Sequence, residues 1–259
     1  MGSGVGSGRF AVLMVGHGSA CTSANRAFEA LVAEVARRCD ASALAFAYLG
    51  AAAPTLGTEL ARLLEQYRRV LVVPLLLFDA AHAGRDLPRA LEAARSRSPG
   101  AEIELTPVLG EAPALIALAR EQVMAVYPPG PATPELLVVG RGSSYPGAVD
   151  ALRRVAEALG GAWPVEGPFV AFLAAALPTV EVALASALQQ GVADLVVLPY
   201  LLFGGNLARD LRGRLERFGG QHPHPRLHLA SHPGVHPDLP TVLAEHVCSN
   251  LRRCGWWAS

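Results

Sequence analysis

An internal repeat constrains this chain more than any other feature, because the same ordered set of short motifs occurs twice. Residues 12–19 read VLMVGHGS, and residues 137–143 read LVVGRGS. The dipeptide Pro-Thr recurs at 54–55 and again at 178–179, 124 residues later. Solenoid repeats are about 20–50 residues long, so a period of this length is typical of duplicated domains instead. The sequence therefore predicts two copies of one domain.

The two copies differ at two positions that could carry chemistry. His17 in the first copy is matched by Arg141 in the second, and His82 is matched by Asn206. Both side chains that could bind a metal at these positions therefore lie in the first copy. This asymmetry predicts a two-lobed protein with one working site.

Apolar runs and helical patterns alternate along both copies. Strands are predicted over 10–15, 43–48, 70–77, 103–106, 136–139, 169–173, 195–202 and 227–229, and helices over 23–38, 54–64, 87–94, 112–126, 149–159 and 239–251. Nearly uninterrupted apolar strands are typical of parallel sheets that are covered on both faces. We therefore predict the α/β class, with two tandem duplicated lobes at 10–126 and 135–250, each a parallel sheet flanked by helices. The proline-rich segment 127–134 is the predicted linker.

Composition excludes several functional classes. The formal net charge is zero, which does not favour nucleic-acid binding, and no apolar run reaches membrane-spanning length. All 22 basic residues are arginine. The lack of lysine excludes Schiff-base chemistry and a Walker phosphate loop. The four cysteines form no C-x-x-C pair, which predicts reduced thiols in a cytoplasmic protein.

The two histidines are predicted to share one edge of the first sheet. His17 follows the first strand between Gly16 and Gly18, and His82 follows the third strand. Ligands of parallel α/β sheets bind beyond the carboxyl ends of the strands. Two neutral imidazoles suit a divalent transition metal and could also accept protons from a weakly acidic N–H. For His17 alone, a hydrogen bond within its own turn is the simpler interpretation, and His82 alone would be an incidental loop histidine. Together they favour a site, because both are predicted at the same edge.

An Arg-Asp dipeptide occurs in both copies, at 85–86 and 209–210, and in the first copy it directly precedes the predicted helix 87–94. Asp86 is interpreted as a helix N-cap, with a surface charge beside it. Alternatively, Arg85 or Arg209 pairs with a substrate carboxylate, because a guanidinium matches carboxylate geometry.

The histidine-rich segment 222–236 resembles a metal-binding tract. Its prolines prevent a helix that would align the histidines on one face. We interpret it as a polar loop leading into a short strand, with metal delivery as the weaker alternative.

The order and spacing of the motifs resemble the sirohydrochlorin chelatases, the class II tetrapyrrole chelatases of cobalamin and sirohaem synthesis. The resemblance spans about residues 10–247 and rests on VGHGS at 15–19, APTL at 53–56, VVPLLLF at 72–78, His82 with Arg-Asp at 85–86, and LG at 109–110. The long form of that family has a degenerate second lobe. The resemblance implies a lyase that inserts Co²⁺ or Fe²⁺, with Ni²⁺ a further option, into sirohydrochlorin in the cleft between lobes without ATP.

The resemblance also implies roles for individual residues. His17 and His82 are expected to bind the metal and to act in catalysis. Five further residues are expected to bind the substrate: Ser19, Arg85, Arg141, Asn206 and Arg209. The expected partners are sirohydrochlorin or a related tetrapyrrole and the substrate metal, with no other cofactor, no nucleic acid and no membrane. The protein is expected to be a monomer or a homodimer.

One position departs from the family pattern. The family often has a glutamate four residues before the position of Pro54, where this chain has Gly50, and the second copy has Ala174 there. The substitution removes a proton acceptor or a third metal ligand. It leaves open an alternative function, a non-catalytic tetrapyrrole- or metal-binding protein derived from a chelatase.

Overall fold

Two four-stranded parallel sheets organise the computed structural model, which describes residues 9–19, 22–39, 41–50, 52–78, 83–126, 134–161 and 168–257. The first repeat contains β1 Phe10–Gly16, α1 Thr22–Ala36, β2 Ala43–Tyr48, α2 Leu56–Leu64, β3 Arg69–Pro74, α3 Ala83–Arg97, β4 Glu102–Leu105 and α4 Pro113–Val126. The second contains β5 Glu135–Gly140, α5 Pro146–Gly160, β6 Phe169–Phe172, α6 Val180–Gln189, β7 Asp194–Pro199, α7 Gly205–Gln221, β8 Arg226–Leu229 and α8 Leu239–Arg253. The strand orders, β2-β1-β3-β4 and β6-β5-β7-β8, are equivalent. The predicted α/β class, with two tandem lobes that each contain a parallel sheet flanked by helices, is confirmed.

Polar and apolar residues do not alternate in the first strand, and its burial explains why. Every residue of β1 is buried. Leu13 and Val15 pack with Leu60 of α2 and Leu91 of α3, whereas Met14 points to the other face and is equally buried. A central parallel strand is covered on both faces, so both sets of alternate residues are apolar.

The repeated Pro-Thr motif begins a helix in each copy. The Oγ1 of Thr55 accepts a hydrogen bond from the backbone N–H of Thr58 at 3.4 Å, which caps α2. Thr179 caps α6 in the same way, through the backbone N–H of Val182 at 3.4 Å. A threonine cap satisfies a backbone donor that the first helical turn leaves without a partner.

Helices cover the sheets through one apolar face each. In α1 the buried residues are Phe28, Val32 and Val35, which recur at the three- and four-residue spacing of a helical face. In the parts of the chain that the structure describes, each helix is too short or too polar to cross a bilayer.

The described chain divides into two compact units, and each unit contains the last helix of the other repeat. The first unit falls within Met1–Leu76, His82–Val108 and Pro240–Ser259, and the second within Leu77–Ala81 and Leu109–Leu239. Helix α4 therefore belongs to the second unit, where it packs against β7 and α5, and nearly all of α8 belongs to the first. The predicted domain bounds, 10–126 and 135–250, therefore remain a prediction. The predicted linker 127–134 lies outside the described residues except for Pro134.

Several element bounds differ from the predictions, and two helices, α6 and α7, were not predicted. Strand β7 ends at Pro199, three residues before its predicted end. Strand β3 ends at Pro74, because the chain leaves the sheet after the backbone N–H of Leu75 donates to the Val15 carbonyl at 2.8 Å. Helix α3 begins at Ala83, so Asp86 lies within its first turn and is not its N-cap. The helix dipole favours a carboxylate anywhere in the first turn. Asp86 therefore indicated the correct end of the helix but not its first residue.

Candidate functional site

The loop after β1 is fixed to the chain after β2 at the carboxyl edge of the first sheet. The backbone N–H of Leu49 donates to the Gly16 carbonyl at 3.0 Å, and that of Gly50 donates to the His17 carbonyl at 3.3 Å. Gly18 has a φ of +79°, and a Cβ there would lie 2.2 Å from the Gly50 carbonyl oxygen. Only glycine fits this turn, because any side chain would meet backbone.

His17 is exposed on this loop, and its ring is held by a neighbouring carbonyl. Its Nδ1 lies 3.1 Å from the carbonyl oxygen of Gly18. Since a carbonyl oxygen can only accept, this hydrogen bond requires the proton on Nδ1. In the neutral ring Nε2 then carries the lone pair, so Nε2 is the nitrogen that can bind a metal or accept a proton.

An asparagine of α1 holds the far end of the same loop. The side-chain Oδ1 of Asn25 accepts from the backbone N–H of Ser19 at 3.0 Å, and its Nδ2 donates to the Ser19 carbonyl at 2.8 Å. The Ser19 backbone is thus paired in both directions by one carboxamide. Ser19, a predicted substrate-binding residue, is half-buried.

A buried tyrosine connects α1 to the end of β2. The hydroxyl of Tyr48 donates to Glu29 Oε1 at 2.9 Å and lies 3.5 Å from the backbone carbonyl of Asn25. Burial above all, and then the hydrogen bond to Glu29, raises the pKa of Tyr48 well above its ordinary value. The hydroxyl therefore remains a proton donor to α1 at any physiological pH.

Three polar residues of the first copy were not predicted from the sequence: Asn25, Glu29 and Tyr48. A difference between the two copies of the repeat would have identified them. The residues 124 positions later lack the equivalent groups: Val149, Arg153 and Phe172. A residue-by-residue comparison of the copies would have separated these polar groups from the shared scaffold.

The second copy builds the same loop with another side chain at its tip. The backbone N–H of Leu173 donates to the Gly140 carbonyl at 3.0 Å, and that of Ala174 donates to the Arg141 carbonyl at 2.9 Å. Gly142 has a φ of +91°. Arg141 is exposed at the position that His17 occupies in the first copy.

The remaining predicted substrate-binding residues lie in the first turns of two helices. Arg85 is exposed in α3. In α7 the Nη1 of Arg209 donates to Asn206 Oδ1 at 3.1 Å, and both side chains are exposed. Because α7 follows β7 and Arg141 follows the adjacent β5, these three side chains of the second copy share one sheet edge. Their binding of substrate stays a prediction.

His82 lies outside the described residues, directly before the start of α3. Its pairing with His17 therefore stays a prediction. Among the residues that the structure does describe, no three histidine, cysteine, aspartate or glutamate side chains form a group that could hold a metal. At Gly50, where the family often has a carboxylate, an added Cβ would meet no atom of the described residues within 4 Å.

The histidines of segment 222–236 make separate contacts instead of converging. His228 Nε2 lies 3.0 Å from Asp194 Oδ1, and His232 Nδ1 lies 3.1 Å from the Leu201 carbonyl oxygen. Burial lowers the pKa of His232, which favours its neutral form. These contacts support the polar-loop interpretation of the segment.

Comparison with known proteins identifies relatives over nearly the whole chain. Sirohydrochlorin ferrochelatase from Priestia megaterium is 29% identical over 246 residues, which cover 95% of this chain and 92% of the relative. Sirohydrochlorin cobaltochelatase from the same organism is 28% identical over 185 residues, or 70% of this chain and 60% of the relative. The solved structure of SirB from Bacillus subtilis with Fe³⁺ has a TM-score of 0.82 at 25% identity, covering 93% of this chain and 95% of that one.

The family model described as CbiX matches the chain twice, at residues 11–126 and at residues 135–250. The two matches fall on the two repeats, and the curated relatives confirm the resemblance drawn from the motifs. With both repeats matched over most of its length, the chain belongs to the CbiX family.

Proposed function

We propose that this protein inserts a divalent metal, Co²⁺ or Fe²⁺, into sirohydrochlorin without ATP, as a lyase of cobalamin or sirohaem biosynthesis. The observation that carries the proposal is the exposed histidine His17, which is present in only one of two repeats that both match the chelatase family. The similar Priestia megaterium proteins are named for iron and for cobalt, which supports either metal. Imidazole ligands would also accept Ni²⁺.

The proposed reaction exchanges two pyrrole N–H bonds for metal–nitrogen bonds and releases two protons. The metal first binds Nε2 of His17 and an imidazole nitrogen of His82. As the metal passes to the macrocycle, each imidazole nitrogen is released and can take one of the two protons. No cofactor beyond the substrate metal is needed for this exchange.

Positive and polar side chains would hold the carboxylates of the macrocycle. Arg85 in the first copy and Arg141 in the second provide exposed guanidinium groups. Arg209 is oriented by its hydrogen bond to Asn206, which leaves further donors of its fork for a carboxylate. Ser19 lies beside His17 and would contact the substrate nearest the metal.

A second function is favoured by the glycine at position 50. Without a carboxylate there, a protein of this fold could bind a tetrapyrrole or a metal without inserting one into the other. This carrier function and the chelatase function share a binding site and differ only in turnover.

Anaerobic incubation of the purified protein with sirohydrochlorin and Co²⁺, Fe²⁺ or Ni²⁺ separates the two functions. For a chelatase, the absorption bands of the metal-free macrocycle decay faster than in protein-free controls, with no nucleotide present. If the protein shifts these bands on binding but none of the three metals is inserted above the spontaneous rate, the carrier function replaces the chelatase.

The proposal includes a cytoplasmic protein that acts as a monomer or a homodimer. The free thiols of Cys39, Cys248 and Cys254 support a reducing compartment. Light scattering of the purified protein would distinguish the two oligomeric states.

A further inference from the structure

We infer that Asn25 fixes the tautomer and orientation of His17 through the Gly18–Ser19 peptide group, and that it is therefore a positioning residue of the proposed metal site. The inference depends on the proposed function only for the role of His17. The Asn25 carboxamide is bonded to the Ser19 backbone, so its effect on His17 would pass through the loop.

One peptide plane joins the two side chains. The carbonyl of Gly18 accepts from Nδ1 of His17, and the N–H of the same peptide group, on Ser19, donates to Asn25 Oδ1. A peptide group is planar and rigid, so rotating one end rotates the other. Holding the Ser19 N–H therefore holds the Gly18 carbonyl where it selects the Nδ1-protonated form of His17.

The hydrogen bond from the Ser19 N–H to Asn25 also strengthens the one from His17 Nδ1 to the Gly18 carbonyl. When the N–H of a peptide group donates, its carbonyl becomes a better acceptor, because hydrogen bonds in a chain polarise one another. Asn25 thus favours the tautomer with the lone pair on Nε2. Histidine ligands of metals commonly donate their other ring N–H to a backbone carbonyl, and such supporting contacts tune metal affinity.

A carboxamide matches both backbone groups of Ser19. Ser19 presents a donor and an acceptor to Asn25, at 3.0 and 2.8 Å, and a carboxamide carries one of each. An aspartate could accept from the Ser19 N–H but would place a second acceptor against the Ser19 carbonyl. Tyr48 and Glu29 hold the helix that carries Asn25.

The second repeat supports this inference independently. The residue matching Asn25 is Val149, whose side chain can neither donate nor accept, and the residue matching His17 is Arg141. Ser143, which matches Ser19, uses its hydroxyl to accept from the backbone N–H of Tyr145 at 3.0 Å. An arginine has no tautomer to select, so the copy that lost the histidine has no use for the carboxamide.

The test compares Asn25→Val, which copies the second repeat, with Asn25→Asp and with the matched control Val149→Ala. Nitrogen-15 NMR of metal-free protein reports the tautomer of His17, whose signals are assigned by their loss in His17→Ala. The signals of His228 and His232 report whether each variant is folded. Titration with Co²⁺ alone measures metal affinity without any tetrapyrrole.

We expect wild type, Asn25→Asp and Val149→Ala to keep the proton on Nδ1, and Asn25→Val to show a mixture of tautomers. Co²⁺ affinity should fall about tenfold in Asn25→Val and stay unchanged in Val149→Ala. A folded Asn25→Val with the wild-type tautomer and Co²⁺ affinity would overturn the inference. So would an Asn25→Asp protein with the mixed tautomers expected of Asn25→Val, because its Ser19 N–H still has an acceptor.

These measurements involve no turnover, so they are separate from the test of the proposed function. If wild type inserts no metal but the tautomer of His17 depends on Asn25, the proposed function fails and the positioning inference stands. If wild type is an active chelatase and Asn25→Val leaves His17 unchanged, only the positioning inference fails.

Discussion

The loops after β1 and β5 have the same backbone and different chemistry. Gly18 and Gly142 both adopt a positive φ, at +79° and +91°, and in both loops a Cβ would collide with the carbonyl of the neighbouring strand's loop. The tip residues are His17 in one and Arg141 in the other. Duplication therefore preserved the turn that folding requires and left the exposed tip free to change, because the tip side chain does not hold the turn together.

At the amino-terminal ends of the two sheets, ion pairs also occupy equivalent positions but differ in chemistry. Arg69 on β3 pairs with Glu102 on β4 at 3.1 Å, and these residues are register partners. In the second sheet Asp194 and Arg226 are the register partners, at 2.6 Å, so the charges are reversed. The burial differs as well, since the Asp194 side chain is 7% exposed and that of Glu102 is 49% exposed.

The largest expected effect would test whether the two loop tips have different roles. His17→Ala should lower the rate of Co²⁺ insertion into sirohydrochlorin by about 100-fold or more, because it removes a ligand and a proton acceptor, and His82→Ala should do the same. Initial rates at saturating substrate measure this effect. A His17→Ala protein within about tenfold of wild type would show that the histidine tip is not the working one.

The reversed ion pairs predict unequal losses of stability. Asp194→Asn should lower the free energy of unfolding by about 2 kcal/mol at pH 7, because it removes a buried charge from two partners, Arg226 and His228. Glu102→Gln should cost less than about 0.5 kcal/mol, since its pair is exposed. Urea unfolding of both variants at pH 7 measures the difference. Equal losses would mean that burial does not distinguish the two pairs.

The same pair predicts a pH dependence. The hydrogen bond from Arg226 chiefly holds the pKa of Asp194 below its ordinary value, although burial acts in the opposite direction. The contribution of the ionised Asp194 carboxylate to stability is therefore complete above its unfolded-state pKa of about 3.9. It is lost as the pH falls through the lower folded-state pKa. The stability difference between wild type and Asp194→Asn should shrink below about pH 4 in a series of urea unfolding curves.

An intermediate effect is expected at the tip of the second loop. Arg141→Ala should raise the KM for sirohydrochlorin about tenfold and leave kcat nearly unchanged, because an arginine that only binds a substrate carboxylate stabilises substrate and transition state alike. Steady-state kinetics separate the two parameters. A fall in kcat with constant KM would assign Arg141 to the chemical step and remove the division of roles between the loops.

The smallest expected effect concerns the missing carboxylate. Gly50→Glu should raise the insertion rate about threefold or more if a proton acceptor limits the reaction. The Gly50 backbone is bonded to that of His17, and a Cβ at position 50 would meet no atom of the described residues within 4 Å. The matched control is Ala174→Glu in the second copy, which should leave the rate unchanged. An inactive wild type that Gly50→Glu does not rescue would favour the carrier function.

The sequence by itself determined the architecture and the position of one candidate ligand. Its repeat specified two equivalent lobes, and the apolar runs specified parallel strands, because a strand buried on both faces cannot alternate with polar residues. The bounds of β2 were predicted to the residue. The glycines around His17 correctly placed it at the end of β1, where glycine is required by the backbone.

Tertiary structure alone decided which distant groups meet. The hydroxyl of Tyr48 reaches Glu29 only because α1 packs against the end of β2. The exchange of α4 and α8 between the units likewise leaves no local signal, since the same apolar helix face can cover either sheet. Apolar patterning specifies that a face is buried, whereas hydrogen-bond partners depend on distances that only the packed chain sets.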